Sequence, residues 1–236
     1  MRNFLTFNGE NLMNYGLYCN GHDTYKGSTL SVEKYAVPGK NGDFIISNDR
    51  YSNVTVSYKC FVVENMKLNV RELRRILQQD KYCILTDTYD QDEFRLARYV
   101  GGFDPDIKER HEAAEFVLEF DCRPERFLKS GENWMDKNGT LQLDDAKLPT
   151  YTPLIRLKGN SLTVTTPRET WNVTVSGSPF PYIDIDTEIM ECYFGDYNAN
   201  PYVDIVGQKG AEEFITFGGG TTVAGNFSVK PRWWRE

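Results

Sequence analysis

Histidine is nearly missing from this chain, with two in 236 residues. Cysteine is sparse and scattered: Cys19, Cys60, Cys83, Cys122 and Cys192, with no CxxC spacing. Zinc sites draw four closely spaced ligands from these two residue types, so no zinc site is expected. An odd, dispersed set of cysteines fits buried, reduced thiols in a protein made in a cytoplasm. An excess of positive charge is also missing. Lys and Arg number 27 against 34 Asp and Glu, a net charge of −7. That argues against a nucleic-acid binder held by phosphate neutralisation. No apolar run approaches the roughly 18 residues of a membrane span, and mean hydropathy is −0.53. The opening residues are broken by Asn3, Asn8, Gly9, Asn11 and Asn14, so no secretory signal is expected. On that ground the sequons at Asn53, Asn138, Asn172 and Asn226 read as chance products. GxxxxGK(S/T), GxGxxG, HExxH and GxSxG do not occur. Each would have carried a specific phosphate, dinucleotide, metal or acyl-transfer chemistry.

Short apolar runs punctuated by 19 glycines and 10 prolines are present instead. Such spacing favours an all-β sandwich or barrel. Phe4–Phe7 reads as a strand ended by Asn8-Gly9, a strong turn signal. Val54, Val56, Tyr58 and Cys60 alternate with polar residues, a strand with one wet face. Phe94, Leu96, Arg98 and Val100 alternate with Arg95, Ala97 and Tyr99, ahead of Gly101-Gly102. From Asn69 to Gln79 the period turns helical, with Val70, Leu73, Ile76 and Leu77 on one face. Asn69 can cap that helix, with Glu72 reaching back. Residues 106–114 read as a loop holding at most one helical turn, and a strand begins at Glu115.

The texture turns polar from Arg123 to Leu148, which marks a domain boundary. Residues 1–130 form one expected domain and 145–236 a second. The second reads as eight short strands: Leu154–Leu157, Leu162–Thr165, Trp171–Val175, Tyr182–Ile185, Met190–Phe194, Tyr202–Val206, Glu213–Phe217 and Asn226–Val229. That density is the density of a β-sandwich. The fold class is mainly β.

Catalytic arrangements are thin. His22 sits in a turn-like run, and His111 reads as surface. Asp184, Asp186 and Glu188 share one strand face by spacing. Such a row can serve Ca²⁺ or glycoside hydrolysis, but the wet face of a strand burying Ile183 and Ile185 is the expected reading. Asp196, Asn198 and Asn200 imitate the start of a calcium loop, yet Pro201 stands where that loop needs glycine. Gly218-Gly219-Gly220 follows a strand and reads as a wide turn. The aromatic share of 14% is high, and Tyr and Trp concentrate at interfaces as well as in cores. Trp233-Trp234 near the end suits a staple for the last strand, a neighbouring subunit or a sugar.

Several blocks resemble, in order, the distal tail (Dit) proteins of long, non-contractile-tailed bacteriophages of Gram-positive hosts. They are Phe4–Gly9, Val37-Pro38-Gly39-Lys40-Asn41-Gly42, the helix at Asn69–Gln79, and Phe120-Asp121-Cys122-Arg123-Pro124-Glu125-Arg126-Phe127. Pro153–Gly159, Ile183–Asp186 and Pro231-Arg232-Trp233-Trp234 follow. Phe217-Gly218-Gly219-Gly220-Thr221 departs from the family's late glycine turn, which affects only that loop. The resemblance implies an N-terminal ring-forming β-sandwich with one amphipathic helix and a long hairpin, then a C-terminal galectin-like β-sandwich. It implies a homohexameric hub at the virion's tail tip, synthesised in the host bacterial cytoplasm. The implied partners are other copies of the chain, the tail tube protein, the tail-associated fibre or lysin protein, receptor-binding proteins and the tape-measure protein. DNA would pass through the lumen without specific binding, which an acidic chain permits. No enzyme activity, cofactor or membrane contact is implied.

A ring closes by heterologous contacts between two different patches. Arg71, Arg74 and Arg75 are therefore expected to meet the acidic cluster Asp87, Asp90, Asp92 and Glu93 of a neighbour, with Asp87–Val100 as the reaching hairpin. The competing reading leaves both as solvated faces of one subunit. The alternative function is a non-catalytic carbohydrate-binding module, with Trp171, Trp233 and Trp234 as the stacking residues.

Overall fold

The structure is a computed structural model that describes residues 2–63, 65–102, 106–107, 113–142, 152–165, 170–189, 191–206 and 222–235. His111, most of the 106–114 loop, the Glu213–Phe217 strand and the Gly218-Gly219-Gly220 turn lie outside the described residues. The chain forms two compact units, Met1–Arg126 and Phe127–Arg235.

In the first unit, β1 (Leu5–Phe7) and β2 (Glu10–Asn11) are joined by Asn8-Gly9. Both turn residues have positive φ, 52° and 81°, as a tight hairpin turn demands. The elements β3 (Leu17–His22), β4 (Leu30–Ala36), β5 (Asp43–Tyr51), β6 (Val54–Val63) and α1 (Met66–Leu77) follow. Then come β7 (Cys83–Asp87), β8 (Glu93–Tyr99), β9 (Asp106–Ile107) and β10 (Ala113–Leu128). The main sheet runs β2-β1-β7-β8-β10-β6-β3, with β9 beside β10. Asn3, just ahead of β1, bridges Cys19 on β3, so the sheet curls back on itself. Its interior is filled by Leu5, Phe7, Val56, Tyr58, Leu118 and Phe120, all essentially inaccessible. The alternation in β6 holds along its length, with Val54, Val56, Tyr58, Cys60 and Val62 inward. In β8 the inward row is the less apolar one, Arg95 and Ala97.

The helix differs at its start from the sequence reading. It begins at Met66, after Asn65 with φ of 43° and no side-chain cap bond. Asn65 caps through its carbonyl, which accepts from the amides of Leu68 and Asn69. Glu72 does not reach back; it pairs with Arg75 at 3.1 Å. The buried face is the expected one: Leu73, Ile76 and Leu77, joined by Met66.

In the second unit the elements are β11 (Met135–Gln142), β12 (Leu154–Thr165), β13 (Thr170–Val175), β14 (Ile183–Asp186) and β15 (Glu191–Phe194). They continue with β16 (Tyr197–Asn198), β17 (Val203–Val206), β18 (Thr222–Lys230) and β19 (Trp234–Arg235). The polar stretch around Asn138 contains a strand, because β11 pairs with β18 from Met135–Val229 to Gln142–Thr222. Its side chains are mostly exposed, so the strand leaves no apolar signature. Two expected strands, Leu154–Leu157 and Leu162–Thr165, are halves of β12. A register shift between Leu157 and Leu162 separates them. The first half pairs with β14 and the second with β13. One strand thereby serves two layers around Ile155, Leu157, Val164, Val173, Ile185 and Phe227.

Two outcomes follow from this packing. Gly16 has φ of 68°, and a Cβ there would lie 2.5 Å from the Val63 carbonyl oxygen. Gly16→Ala is expected to lower stability by about 1–3 kcal/mol, read as a lower urea midpoint with unchanged m-value. Burial also pushes the Cys122 thiol up to about 12 and the Cys192 thiol up to about 11. Unfolded thiols titrate near ~8.5, so above that pH the folded state keeps protons that the unfolded state has lost. Stability should be full below that range and fall as pH climbs toward the folded values. Urea midpoints taken from neutral pH to about pH 10 check this, and a flat profile overturns it.

Candidate assembly surface

The hairpin β4–β5 stands apart. Its strands pair with each other and with no other strand among the described residues. Thr29 and Ser52 close its base with a 3.0 Å backbone bond. The register sets Tyr35 opposite Phe44, Lys34 opposite Ile45 and Glu33 opposite Ile46. Side chains alternate across a strand, so Tyr35, Phe44 and Ile46 share one face while Val32 and Ile45 occupy the other. Phe44, Ile45 and Ile46 are 53%, 56% and 47% exposed. This arm is therefore apolar on both sides and covered on neither. The Pro38–Gly42 block quoted above is its tip. The run Phe44-Ile45-Ile46 was the missed signal, because three consecutive apolar residues in a strand must dress both faces.

The acidic cluster has another task. Asp87 accepts from Tyr58 Oη at 2.7 Å and Thr24 Oγ1 at 2.8 Å through one oxygen. Its other oxygen accepts from the amides of Tyr89 and Asp90, each at 2.9 Å. Burial and the Asp87 charge hold the Tyr58 hydroxyl well above the usual phenol range. Glu93 is buried and pairs with Arg126 at 3.3 Å. Arg95, 5% exposed, donates to the carbonyls of Thr24 and Lys26 at 3.1 and 2.8 Å. Residues 24–26 lead into β4, so these groups root the arm. Asp87 and Glu93, expected to face a neighbour, both have partners within the unit, where the end of β7 and the inward row of β8 place them. The β7–β8 hairpin is part of the main sheet, so the arm is residues 30–51. Asp90 is half-buried and Asp92 exposed. Arg71, Arg74 and Arg75 line the exposed side of α1.

In the second unit, Asp184 and Asp186 are not a wet face; each is 5% exposed. Arg156 meets Asp184 through two bonds of 2.7 and 2.9 Å. Arg232 meets Asp186 at 3.0 and 3.2 Å and Glu188 at 3.4 Å. The Arg156 guanidinium also lies over the rings of Trp134 and Tyr182, at 4.4 and 4.1 Å. Both carboxylates are thus committed to structural ion pairs. Trp171 is 5% exposed in the core, so it presents no stacking face. Trp233 and Trp234 pack half-buried against the same core. A cavity of about 450 Å³ is lined by Lys158, Asn160, Ser176, Ser178, Phe180 and Tyr182. Phe180 stacks on Phe194 at 4.9 Å and Tyr182 lies under Arg156, so those ring faces are occupied. His22 stacks on Tyr89 at 3.7 Å, with its Nδ1 accepting from the Thr24 amide. Among the described residues no group of three or more His, Cys, Asp or Glu is placed to hold a metal ion. Nor, among the described residues, is any helix long and apolar enough to cross a membrane.

No protein-family profile and no curated protein sequence matches the chain. Solved structures do. The crystal structure of the phage SPP1 Dit protein (gp 19.1), described as a paradigm of the hub adsorption apparatus in Gram-positive infecting phages, is similar over 96% of both chains, at 12% identity and a TM-score of 0.70. A chain of the phage p2 baseplate in its activated conformation with Ca matches all of this chain and 98% of its own length, at 10% identity and a TM-score of 0.59. The Sr form of that baseplate gives 10% identity and a TM-score of 0.57. Both units, in sequence order, thus share the mainly β fold of a phage tail hub protein of the Dit type.

Proposed function

We propose that this chain is a structural distal tail protein of a bacteriophage, whose copies close into a homohexameric hub at the tail tip. The hub joins the tail tube to the fibre or lysin protein and to receptor-binding proteins, and lets the tape-measure protein and then DNA through its lumen. The observation that carries the reading is the arm. A lone two-stranded hairpin is marginal in water, and one with apolar residues on both faces calls for a surface to lie on. A second copy supplies one in a ring, where each subunit gives an arm and receives another. The full-length likeness to a hub protein supports the same assignment. The exposed Arg71, Arg74 and Arg75, with Asp90 and Asp92, belong to the proposed contact surface. The chemistry is adhesion between subunits, with no substrate transformed. Virion location and synthesis in the host cytoplasm follow from that role.

The size of the purified protein tests it. Light scattering is expected to give six times the subunit mass of 27.2 kDa, and a monomer at every concentration overturns the reading. Phe44→Ser with Ile45→Ser should shift stability by less than about 0.5 kcal/mol, since both are exposed, yet shift the mass toward one subunit. Reversing Arg71, Arg74 and Arg75 to Glu should also lower the mass; an unchanged mass removes them from the interface. Asp87→Ala behaves differently. It should cost about 2–4 kcal/mol, because it strands four donors around Tyr58 and Thr24.

A further inference from the structure

β3 and β6 each place a cysteine at matched positions. Cys19 lies directly opposite Cys60 in the register, with the Sγ atoms 3.4 Å apart. Both are buried free thiols. Antiparallel pairs alternate between hydrogen-bonded and non-hydrogen-bonded types, and in the second the Cα atoms approach to about 4.5 Å. The Val63 amide donates to the Gly16 carbonyl at 3.2 Å. Counting along the register from that bond, Tyr18–Phe61 is the hydrogen-bonded type and Cys19–Cys60 the other. The Cys19 amide agrees, since it turns away to the Asn3 carbonyl at 2.8 Å. Such a spacing falls within the roughly 4.4–6.8 Å that a disulfide bridges. Cys60 also donates to the Tyr58 carbonyl at 3.5 Å, as Cys83 and Cys122 do to the carbonyls of Lys81 and Phe120; the thiol–thiol contact is what sets Cys19 and Cys60 apart.

We propose that Cys19 and Cys60 are a covalent modification site, a dithiol that closes to a cross-strand disulfide. The segment between them holds the whole β4–β5 arm, so the bond ties off the arm's root. With oxidised glutathione as oxidant, a cysteine thiolate attacks its S–S bond and expels one glutathione thiolate. The second cysteine thiolate then attacks the mixed disulfide and expels the other. One S–S bond forms, one breaks, and the two thiol protons end on two glutathione molecules. The hydrogen bond with the Cys19 thiol, together with burial, holds the Cys60 thiol far above its usual range, so exchange proceeds when the end strand β3 opens. The bond does not depend on the assembly reading. Its use does: a particle that leaves a reducing cytoplasm enters an oxidising medium, where the link would hold the arm's base under load.

The full chain is refolded from urea in a glutathione redox buffer, so that burial cannot block access, then trapped and peptide-mapped. The expected product has lost two hydrogens, with Cys19 and Cys60 in one linked peptide and Cys83, Cys122 and Cys192 still thiols. Melting should move up by roughly 5–15 °C on oxidation, and Cys60→Ser should abolish that shift. A pair still reduced at equilibrium in a strongly oxidising buffer overturns the proposal, as does statistical pairing among all five cysteines. Light scattering on the same samples reports the assembly reading separately: a monomer carrying the Cys19–Cys60 link sinks the hub and leaves the link standing.

Discussion

A two-stranded ribbon has no interior. Each side chain on it points to one of two faces, and neither strand can shield the other's apolar atoms. Phe44 and Ile45 on β5 therefore set the requirement that organises the first unit. The ribbon must be held at its base and met at its surface. The base is where the buried polar groups converge. Arg95 grips the carbonyls of Thr24 and Lys26, and Asp87 takes the Thr24 hydroxyl and the Tyr58 phenol. A buried arginine is costly unless its donors are satisfied; here Nη2 donates to two backbone carbonyls of the segment entering the arm, while Nη1 has no hydrogen-bond partner among the described residues. The rigid curled sheet and the projecting ribbon are thus two parts of one arrangement.

The same logic accounts for the second unit's acids. A chain rich in carboxylates and poor in histidine invites a search for paired acids doing chemistry. Asp184 and Asp186 are the best-placed pair by spacing, and each is clamped by an arginine, with Trp134 and Tyr182 flanking the first guanidinium. Fork-to-fork pairing fixes geometry and neutralises charge. It suits the covering of a β14 strand buried on both faces. Part of the aromatic surplus is used in a ring cluster: Phe180 packs against Phe194, Tyr197 and Tyr202, with Tyr197 at its exposed edge.

What could be read beforehand followed the physics of local signals. Period-two alternation exposed β6, an Asn-Gly pair exposed the β1–β2 turn, and a 3.6-residue stripe exposed the buried face of α1. The start of α1 escaped because Asn65 caps through its carbonyl in a left-handed conformation, which no side-chain rule registers. β11 escaped because a strand with wet side chains has no apolar pattern. Asp87 and Glu93 were read as solvated or intermolecular because sequence gives charge without showing inward direction. On β8 Arg95 and Ala97 are buried while Leu96 is only half-buried, although Phe94 on that more apolar row is buried as well. The burial of Arg95 is set by the polar root of the arm, residues distant in sequence, and no window along the chain contains it.

Placement of the two matched cysteines sharpens this picture. The strands that carry them are the ones that feed the arm out and take it back. Any pull on the ribbon is felt first as a shear or peel between β3 and β6. Noncovalent resistance at that seam comes from a few ladder bonds, the Asn3–Cys19 bridge and the Arg95 grip. β3 sits at the end of the sheet order, where a register shift at Cys19–Gly21 already interrupts the ladder. A peel driven from the arm passes Asp23–Ser57 and His22–Tyr58 and then reaches that shift, beyond which the thiol pair is the first matched position. A bond between the two thiols closes the chain that runs out through β4 and β5 and back, and backs up the weaker ladder contacts between it and the arm.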